Sequence, residues 1–489
     1  MKHTPTPPAP AGLAALEAQL AQDLEFLELP AKPWVPRRTQ DGAPVRDVVV
    51  IGAGMCGLAA TAKLVLTGIT NVVAYDAAPA GLEGPWLTFA RMQTLRSPKT
   101  LHGPSLGLPQ LTFRAWFTAQ WGRDAWQALD KIPRGQWMDY LVWYRKVLAL
   151  PVRNSVRMTG VASAGDLVAV DVEGAETGRV LTRHLVLATG RSGLGGFAVP
   201  DFLKGVDRAY WAHSADDIDF EALKGKRVAV IGAGASSMDN AATALEAGAG
   251  SVDMLIRRKE MPRINKLTGI GSQGVVLGIH ELPDAWKWKF FDYTASTQTP
   301  PPRSSTLRVS RHPNARFFLD CGILAVKEDA GGLLIETTQG PIHYDFLIAA
   351  TGFSNDFSDR PEFAALAPHI RTWSDGRYSP DMGPPRAGMS DAPDLGPAFE
   401  FRERVPGSCP MLANIHCFND AAMLTHGKVS GDIPAVSAGA DRLVRGIASS
   451  LFTEDVETHF ANLIAYDTPE LLGDEWVDST PLLQKEAAL

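Results

Sequence analysis

Two short runs of small residues, each following an apolar stretch, carry the most chemistry in this 489-residue chain. The first reads Val48-Val49-Val50-Ile51-Gly52-Ala53-Gly54-Met55-Cys56-Gly57, and the second Val228-Ala229-Val230-Ile231-Gly232-Ala233-Gly234-Ala235-Ser236-Ser237. Gly52, Gly54 and Gly57 leave room for a backbone to approach a pyrophosphate, and a helix starting behind them points free N–H groups at its charge. Gly232, Gly234, Ser236 and Ser237 offer the same at the second run. Asp76 closes the next apolar stretch, Asn71 to Tyr75, about 20 positions past the last glycine of the first run, where a carboxylate can accept both ribose hydroxyls. At the matching place in the second unit, Val252 to Ile256 is followed by Arg257, Arg258 and Lys259. Cations there clasp a 2′-phosphate that a carboxylate repels, so the second turn reads as a site for NADPH rather than NADH. Two such turns in one chain suggest two dinucleotides held face to face, as a flavoprotein brings a nicotinamide to its isoalloxazine.

The elements that must position these residues follow an α/β order of two Rossmann-like dinucleotide-binding domains. Leu185 to Leu187 ends in Ala188-Thr189-Gly190, and Asp345 to Ala349 ends in Ala350-Thr351-Gly352-Phe353. Short apolar strands ending in small residues let the chain turn closely beside a bound cofactor. One lies before the second glycine turn and one long after it, which predicts an NADPH domain inserted into an FAD domain. The expected boundaries are an N-terminal helix and Pro-rich linker at 1–45, the first part of the FAD domain at 46–205, and the NADPH domain at 206–338. The second FAD part then occupies 339–452 and a tail 453–489. Leu13, Leu16, Leu20, Leu24 and Leu27 recur at spacings of three and four, which predicts an amphipathic helix packed on its own domain, with a dimer contact or lid as the alternative. Trp286, Trp288, Phe290, Phe291 and Tyr293 cluster in an otherwise irregular stretch, as packing or as the wall of a substrate pocket.

Bulk properties narrow the partners. Apolar residues make up 45% and charged residues 21% of the chain, an ordinary soluble composition. A net charge of -7 argues against nucleic acid, which needs a basic face. Cys56, Cys321, Cys409 and Cys417 are scattered without a close pair or metal-like spacing, which suits a reducing, cytoplasmic setting and no metal. Met1 to Pro10 is Pro-rich and lacks the apolar stretch of a signal peptide, and no run approaches the ~18 apolar residues of a membrane span. The expected partners are a small-molecule substrate and O2; a homo-oligomer is left open.

From Arg46 to Phe452 the chain resembles the class B flavin monooxygenases, which include heteroatom-oxygenating, Baeyer–Villiger and N-hydroxylating enzymes. The resemblance rests on both glycine turns, Asp76, Gly84-Pro85-Trp86, Arg91 to Lys99, Ala188-Thr189-Gly190 and Ala350-Thr351-Gly352-Phe353. It implies that Trp86, Thr189, Gly190, Thr351 and Gly352 lie against the cofactors. Ala90 to Lys99 is similar to the family's T-N-x-P-K segment beside the flavin, with Arg96 at the asparagine position when Pro98 and Lys99 are aligned. A guanidinium keeps its proton, so Arg96 is expected to serve catalysis by favouring an anion, either the oxygenated flavin or a substrate carboxylate; pairing with an FAD phosphate or a surface carboxylate is the alternative. Of the linker fingerprint F-x-G-x-x-x-H only His213 and the following Ser214 remain, with Asp207 and Ala209 at the Phe and Gly positions. Asn414 to Ala440, which contains Asp432, is similar to a loop and helix that close over the flavin's pyrimidine end, with Asp432 as a simple cap or turn residue as the alternative.

The resemblance implies an FAD- and NADPH-dependent monooxygenase that forms a flavin hydroperoxide and inserts one oxygen atom from O2 into a small organic substrate. The incomplete Baeyer–Villiger fingerprint tilts the expectation toward N- or S-oxygenation. The alternatives are Baeyer–Villiger oxygenation of a carbonyl, an NADPH-dependent flavin or disulfide reductase, and a nucleotide-binding redox sensor without turnover.

Overall fold

Two sheets, each with one of the glycine turns at the end of an inner parallel strand, organise the chain. The structure is a computed structural model and describes residues 12–486; the Pro-rich stretch Met1 to Pro10 lies outside them. In the first sheet the strands run in the order Val152–Asn154, Val72–Asp76, Ala43–Ile51, Gly178–Leu187, Leu167–Gly174 and Val156–Ala164. The first four are parallel and the last two form an antiparallel extension. Val48, Val49 and Val50 are fully buried, because a central parallel strand is covered on both faces and has no polar side to present. Helix Met55–Leu66 follows the turn directly.

The second sheet is parallel throughout, in the order Ala315–Phe318, Ser251–Leu255, Arg227–Ile231, Phe346–Ala349, Trp211–His213. Here the strand pairing departs from the expected boundary at 338. Phe346–Ala349 pairs with Arg227–Ile231 on one side and Trp211–His213 on the other, so it completes the second sheet rather than resuming the first. Three antiparallel strands, Ile323–Asp329, Gly332–Thr337 and Gly340–Tyr344, fold on themselves and deliver the chain back beside Arg227–Ile231. The chain regains the first sheet only at Ile415–Cys417, which pairs with Leu185–Leu187. At the other end, Arg38–Gln40 folds back antiparallel on Ala43–Val45, so the expected linker contributes a strand.

The N-terminal helix, Leu13–Phe26, buries Leu16 and Leu20 and contacts helix Phe113–Ala128. Gly12 N–H donates to the Ala119 carbonyl at 2.7 Å. Helix Val436–Glu454 packs on Met55–Leu66 and buries Val436, Ala440, Leu443, Val444, Ile447 and Leu451, the spacing that puts one stripe against the core. Among the described residues, no helix is long and apolar enough to cross a membrane.

Candidate active site

The first glycine turn is held by contacts that no side chain could share. Gly52 has φ +99°, and a Cβ there would lie 2.4 Å from the Ala188 carbonyl oxygen; at Gly57 a Cβ would lie 1.8 Å from the Gly52 oxygen. These two glycines let strand, turn and helix close on one another. Gly54 is different, since its nearest neighbour is Gly84 Cα at 3.7 Å. Asp76 reaches across from the neighbouring strand: one carboxylate oxygen accepts the Ala53 N–H at 2.7 Å and the other the Ala78 N–H at 2.8 Å. Burial raises the Asp76 pKa, and these two bonds oppose it. Each oxygen keeps a second lone-pair direction for a ribose hydroxyl. Beside Gly84 lies the half-buried Trp86, whose indole N–H has no partner. An open glycine, an acidic strand end and an unpaired donor fit a dinucleotide.

The second turn is looser. Gly232 has φ +113° with the Ala350 oxygen 3.1 Å from a would-be Cβ, and nothing lies within 4 Å of one at Gly234. Ser237, at the third glycine position, is buried and donates to the Gly234 carbonyl at 2.8 Å, while Ser236 is exposed. Arg257 is exposed just past Ser251–Leu255, and Arg258 reaches the Ser296 carbonyl at 3.1 Å. Gly232 N–H donates to Leu255 O at 3.1 Å, which places the basic run beside the turn.

Several expected cofactor residues are committed to protein partners. His213 is buried: its Nδ1 accepts the Ala215 N–H at 3.2 Å, which leaves Nε2–H to donate to the Gly352 carbonyl at 2.9 Å. Burial lowers its pKa, and the ring stacks on Phe197 at 4.3 Å. The Thr351 hydroxyl donates to Ala198 O at 2.6 Å, and Gly352 O also accepts the Ala198 N–H. His213, Thr351 and Gly352 therefore fasten the second sheet to the segment leaving Thr189 and Gly190. Thr189 accepts from Asn419 at 3.3 Å, and Gly190 has φ +74°. Lys99 caps the end of helix Phe113–Ala128 through the Trp126 carbonyl at 2.7 Å.

Arg96 is exposed and faces Asp432. Partial burial lowers its pKa, and the Asp432 charge opposes that shift. Asp432 makes no side-chain cap; it pairs with Lys428 at 3.7 Å and borders a cavity of ≈ 300 Å³. The cavity is lined from both halves of the chain, by Arg191, Asp420, Lys428 and Asp432 on one side and Phe291, Thr294 and Gln298 on another. Of the aromatic cluster, Phe291 reaches this cavity, Trp288 is core, and Trp286 and Tyr293 are exposed. Asp420 and Lys428 lie in the Asn414 to Ala440 segment expected beside the flavin, whereas Arg191 and Gln298 escaped the sequence reading, since no spacing marks residues brought together only by tertiary packing. Cys56 donates to the Ser430 carbonyl at 3.2 Å; burial, with Asp432 and Asp420 adding, pushes its thiol up to about 12. A thiol so raised is a poor nucleophile, and all four cysteines are free. Among the described residues no group of side chains has metal-binding form.

Residues 49–268 match the model of a family described as pyridine nucleotide-disulphide oxidoreductase. The chain is 37% identical over 469 residues to an FAD-dependent urate hydroxylase of Xanthomonas campestris pv. campestris, covering 96% of this chain and 99% of that protein. It belongs to the class B flavin-dependent monooxygenases. In fold it is similar to L-lysine 6-monooxygenase from Pseudomonas syringae (TM-score 0.62, 18% identity, 83% of this chain and 99% of that one). Ornithine hydroxylase from Pseudomonas aeruginosa is similar too (TM-score 0.64, 16% identity, 83% of this chain and 100% of that one).

Proposed function

We propose that this enzyme uses FAD and NADPH to hydroxylate a small, planar, anionic nitrogen heterocycle of the urate type. The observation that carries this reading is the near full-length likeness to the urate hydroxylase; the mixed-charge cavity agrees with it. FAD bound at the first turn supplies hydride acceptance from NADPH and activation of O2. Gly54 and Trp86 face its pyrophosphate side, and Asp76 its ribose. Arg257 and Arg258 hold the 2′-phosphate of NADPH at the second turn. Arg191 and Lys428 bring cations to a cavity whose other polar groups, Thr294 and Gln298, can hydrogen-bond a lactam edge. Asp432 lies at the cavity rim, flanked by Arg96 and Lys428.

The test incubates FAD-loaded protein with NADPH, urate and ¹⁸O2 and follows the product by mass spectrometry. Incorporation of one ¹⁸O at ring carbon supports the reading. NADPH oxidation that yields only hydrogen peroxide with urate, beside efficient oxygenation of an amine or sulfide, would return the assignment to the N- or S-oxygenation expected from the sequence. Oxygen insertion next to a carbonyl would identify a Baeyer–Villiger enzyme.

A further inference from the structure

A row of aromatic rings leads from the first glycine turn to the surface. Trp86 lies beside Gly84 and Gly54 and meets Trp137 at 6.1 Å between ring centroids. Trp137 meets Tyr140 at 5.1 Å, Tyr140 meets Trp116 at 5.9 Å, and Trp116 meets Trp121 at 5.4 Å. Trp137, Tyr140 and Trp116 are buried, whereas Trp121 is 45% exposed. The inner end also lies near the segment carrying Asp432: a Cβ on Gly103 would stand 3.2 Å from Trp137 and 3.9 Å from Ile433.

A second observation concerns the indole N–H groups inside this row. The indole N–H groups of Trp137 and Trp116, away from the cofactor, are buried with no acceptor. Buried indoles normally find a partner, and an unpaired donor is costly. Phenylalanine would fill similar space at Trp137 and Trp116 without that cost. The same lack of acceptors has a redox consequence. An oxidised indole that cannot shed its proton remains a strong oxidant and draws an electron from its neighbour.

We propose that Trp86, Trp137, Tyr140, Trp116 and Trp121 form a one-electron path between the flavin cleft and solvent, a second route of electrons to the cofactor that bypasses NADPH. Trp86 gives one electron to the light-excited, oxidised cofactor. Trp137 refills Trp86, and Trp116 refills Trp137 across Tyr140. The Tyr140 hydroxyl donates to the Leu111 carbonyl at 2.6 Å, which takes no proton, so this ring mediates transfer rather than holding the hole. Trp121 then refills Trp116, loses its indole proton to water, and receives a hydrogen atom from a thiol in solution; two thiyl radicals join as a disulfide. Each electron that reaches the cofactor thus comes from one thiol. Trp143 branches from Tyr140 at 6.1 Å, but its N–H is held by Glu17 and the ring is 6% exposed, out of reach of a dissolved thiol.

The inference rests on FAD lying at the first turn. The test illuminates FAD-loaded protein with blue light, anaerobically and without NADPH, with dithiothreitol present. It reads flavin bleaching and the transient absorption of tryptophan radicals. Trp116→Phe and Trp121→Phe should bleach several-fold more slowly than wild type and lose the long-lived neutral tryptophan radical, with NADPH-driven reduction unchanged. Trp143→Phe should match wild type. Equal bleaching and radical yield in wild type, Trp116→Phe and Trp121→Phe would overturn the path while leaving the cofactor reading intact. Loss of the radical in Trp143→Phe alone would overturn the assigned exit. A protein that takes up no FAD would overturn both readings at once.

Discussion

The two glycine turns share a sequence pattern yet differ in how tightly the protein holds them. At the first, Cβ atoms on Gly52 and Gly57 would collide with backbone oxygens at 2.4 and 1.8 Å; at the second, the nearest such contact is 3.1 Å and Ser237 fills the third glycine position. Asp76 clamps the first turn through the Ala53 N–H, while the second is bordered by exposed Arg257. The difference is what two kinds of dinucleotide require. A cofactor that stays through turnover suits a turn built into the core, and one that exchanges each cycle suits an open turn with a charged edge. The lesson is that the third glycine serves helix-to-strand packing and the second serves the ligand, so substitutions separate the two roles.

The largest expected effect is at Gly57. Gly57→Val forces strand and helix apart, a strain beyond the ~1–3 kcal/mol typical of an overpacked core, and should leave little folded protein by thermal melting. Gly54→Val has room within the protein, so it should fold with a near-normal melting temperature but elute without flavin absorbance. Gly234→Ala meets nothing within 4 Å and should keep both fold and flavin. A Gly57→Val protein that folds and carries flavin would erase the contrast between the turns.

Next in size is cofactor selectivity. Removing the cations with Arg257→Ala and Arg258→Ala should raise the apparent NADPH constant by about ten- to a hundredfold, at roughly 1.5–3 kcal/mol per charge-assisted bond. Steady-state kinetics should show NADH nearly unchanged. Equal use of both nucleotides by the wild-type enzyme would refute the assignment.

A third prediction concerns how the first unit is closed by its last long helix. Burial would raise Glu454, but hydrogen bonds from His184 and Arg183 hold it at about 2, below its ordinary 4.5. Buried Arg183 bonds both Glu454 and Asp455, at 2.8 and 2.7 Å. A carboxylate with a depressed folded pKa binds fewer protons folded than unfolded, so its stabilisation is full above about pH 4.5 and is lost as pH falls toward 2. Melting temperature should drop through that window in the wild type, and Glu454→Gln should flatten the slope. An unchanged acid slope in Glu454→Gln would remove this contact from the account.

What the sequence made legible follows the same division. The turns, Asp76 and the basic run after Leu255 are local fingerprints, and their strands and helices fall where the apolar runs and glycines place them. Phe346–Ala349 was misplaced because it is as short and apolar as Leu185–Leu187 and ends in the same Ala-Thr-Gly; which sheet such a strand joins is decided by neighbours far away in sequence. His213 and Thr351 carry polar groups that the motif assigns to a cofactor, yet those groups bond Gly352 and Ala198. The cavity drew Arg191, Phe291, Gln298 and Lys428 from separate segments, and no local spacing could have joined them.

The smallest expected effect on fold and cofactor loading, and the sharpest on chemistry, is at Arg96. Exposed and facing Asp432, it takes part in a surface attraction of the kind that contributes about 0–1 kcal/mol to stability. Arg96→Met should therefore leave the melting temperature and flavin content nearly unchanged. If its charge serves the cavity, the same variant should release more hydrogen peroxide per NADPH consumed, because Asp432 loses a counter-charge at the rim and an anionic substrate is held less well. Arg96→Lys keeps the charge but loses the fork, so coupling should recover while the substrate constant stays raised. Oxygen-electrode and peroxide assays separate these outcomes. Unchanged coupling and substrate constant in Arg96→Met would reduce Arg96 to a surface partner of Asp432 and move the search for the anion-holding group to Arg191 and Lys428.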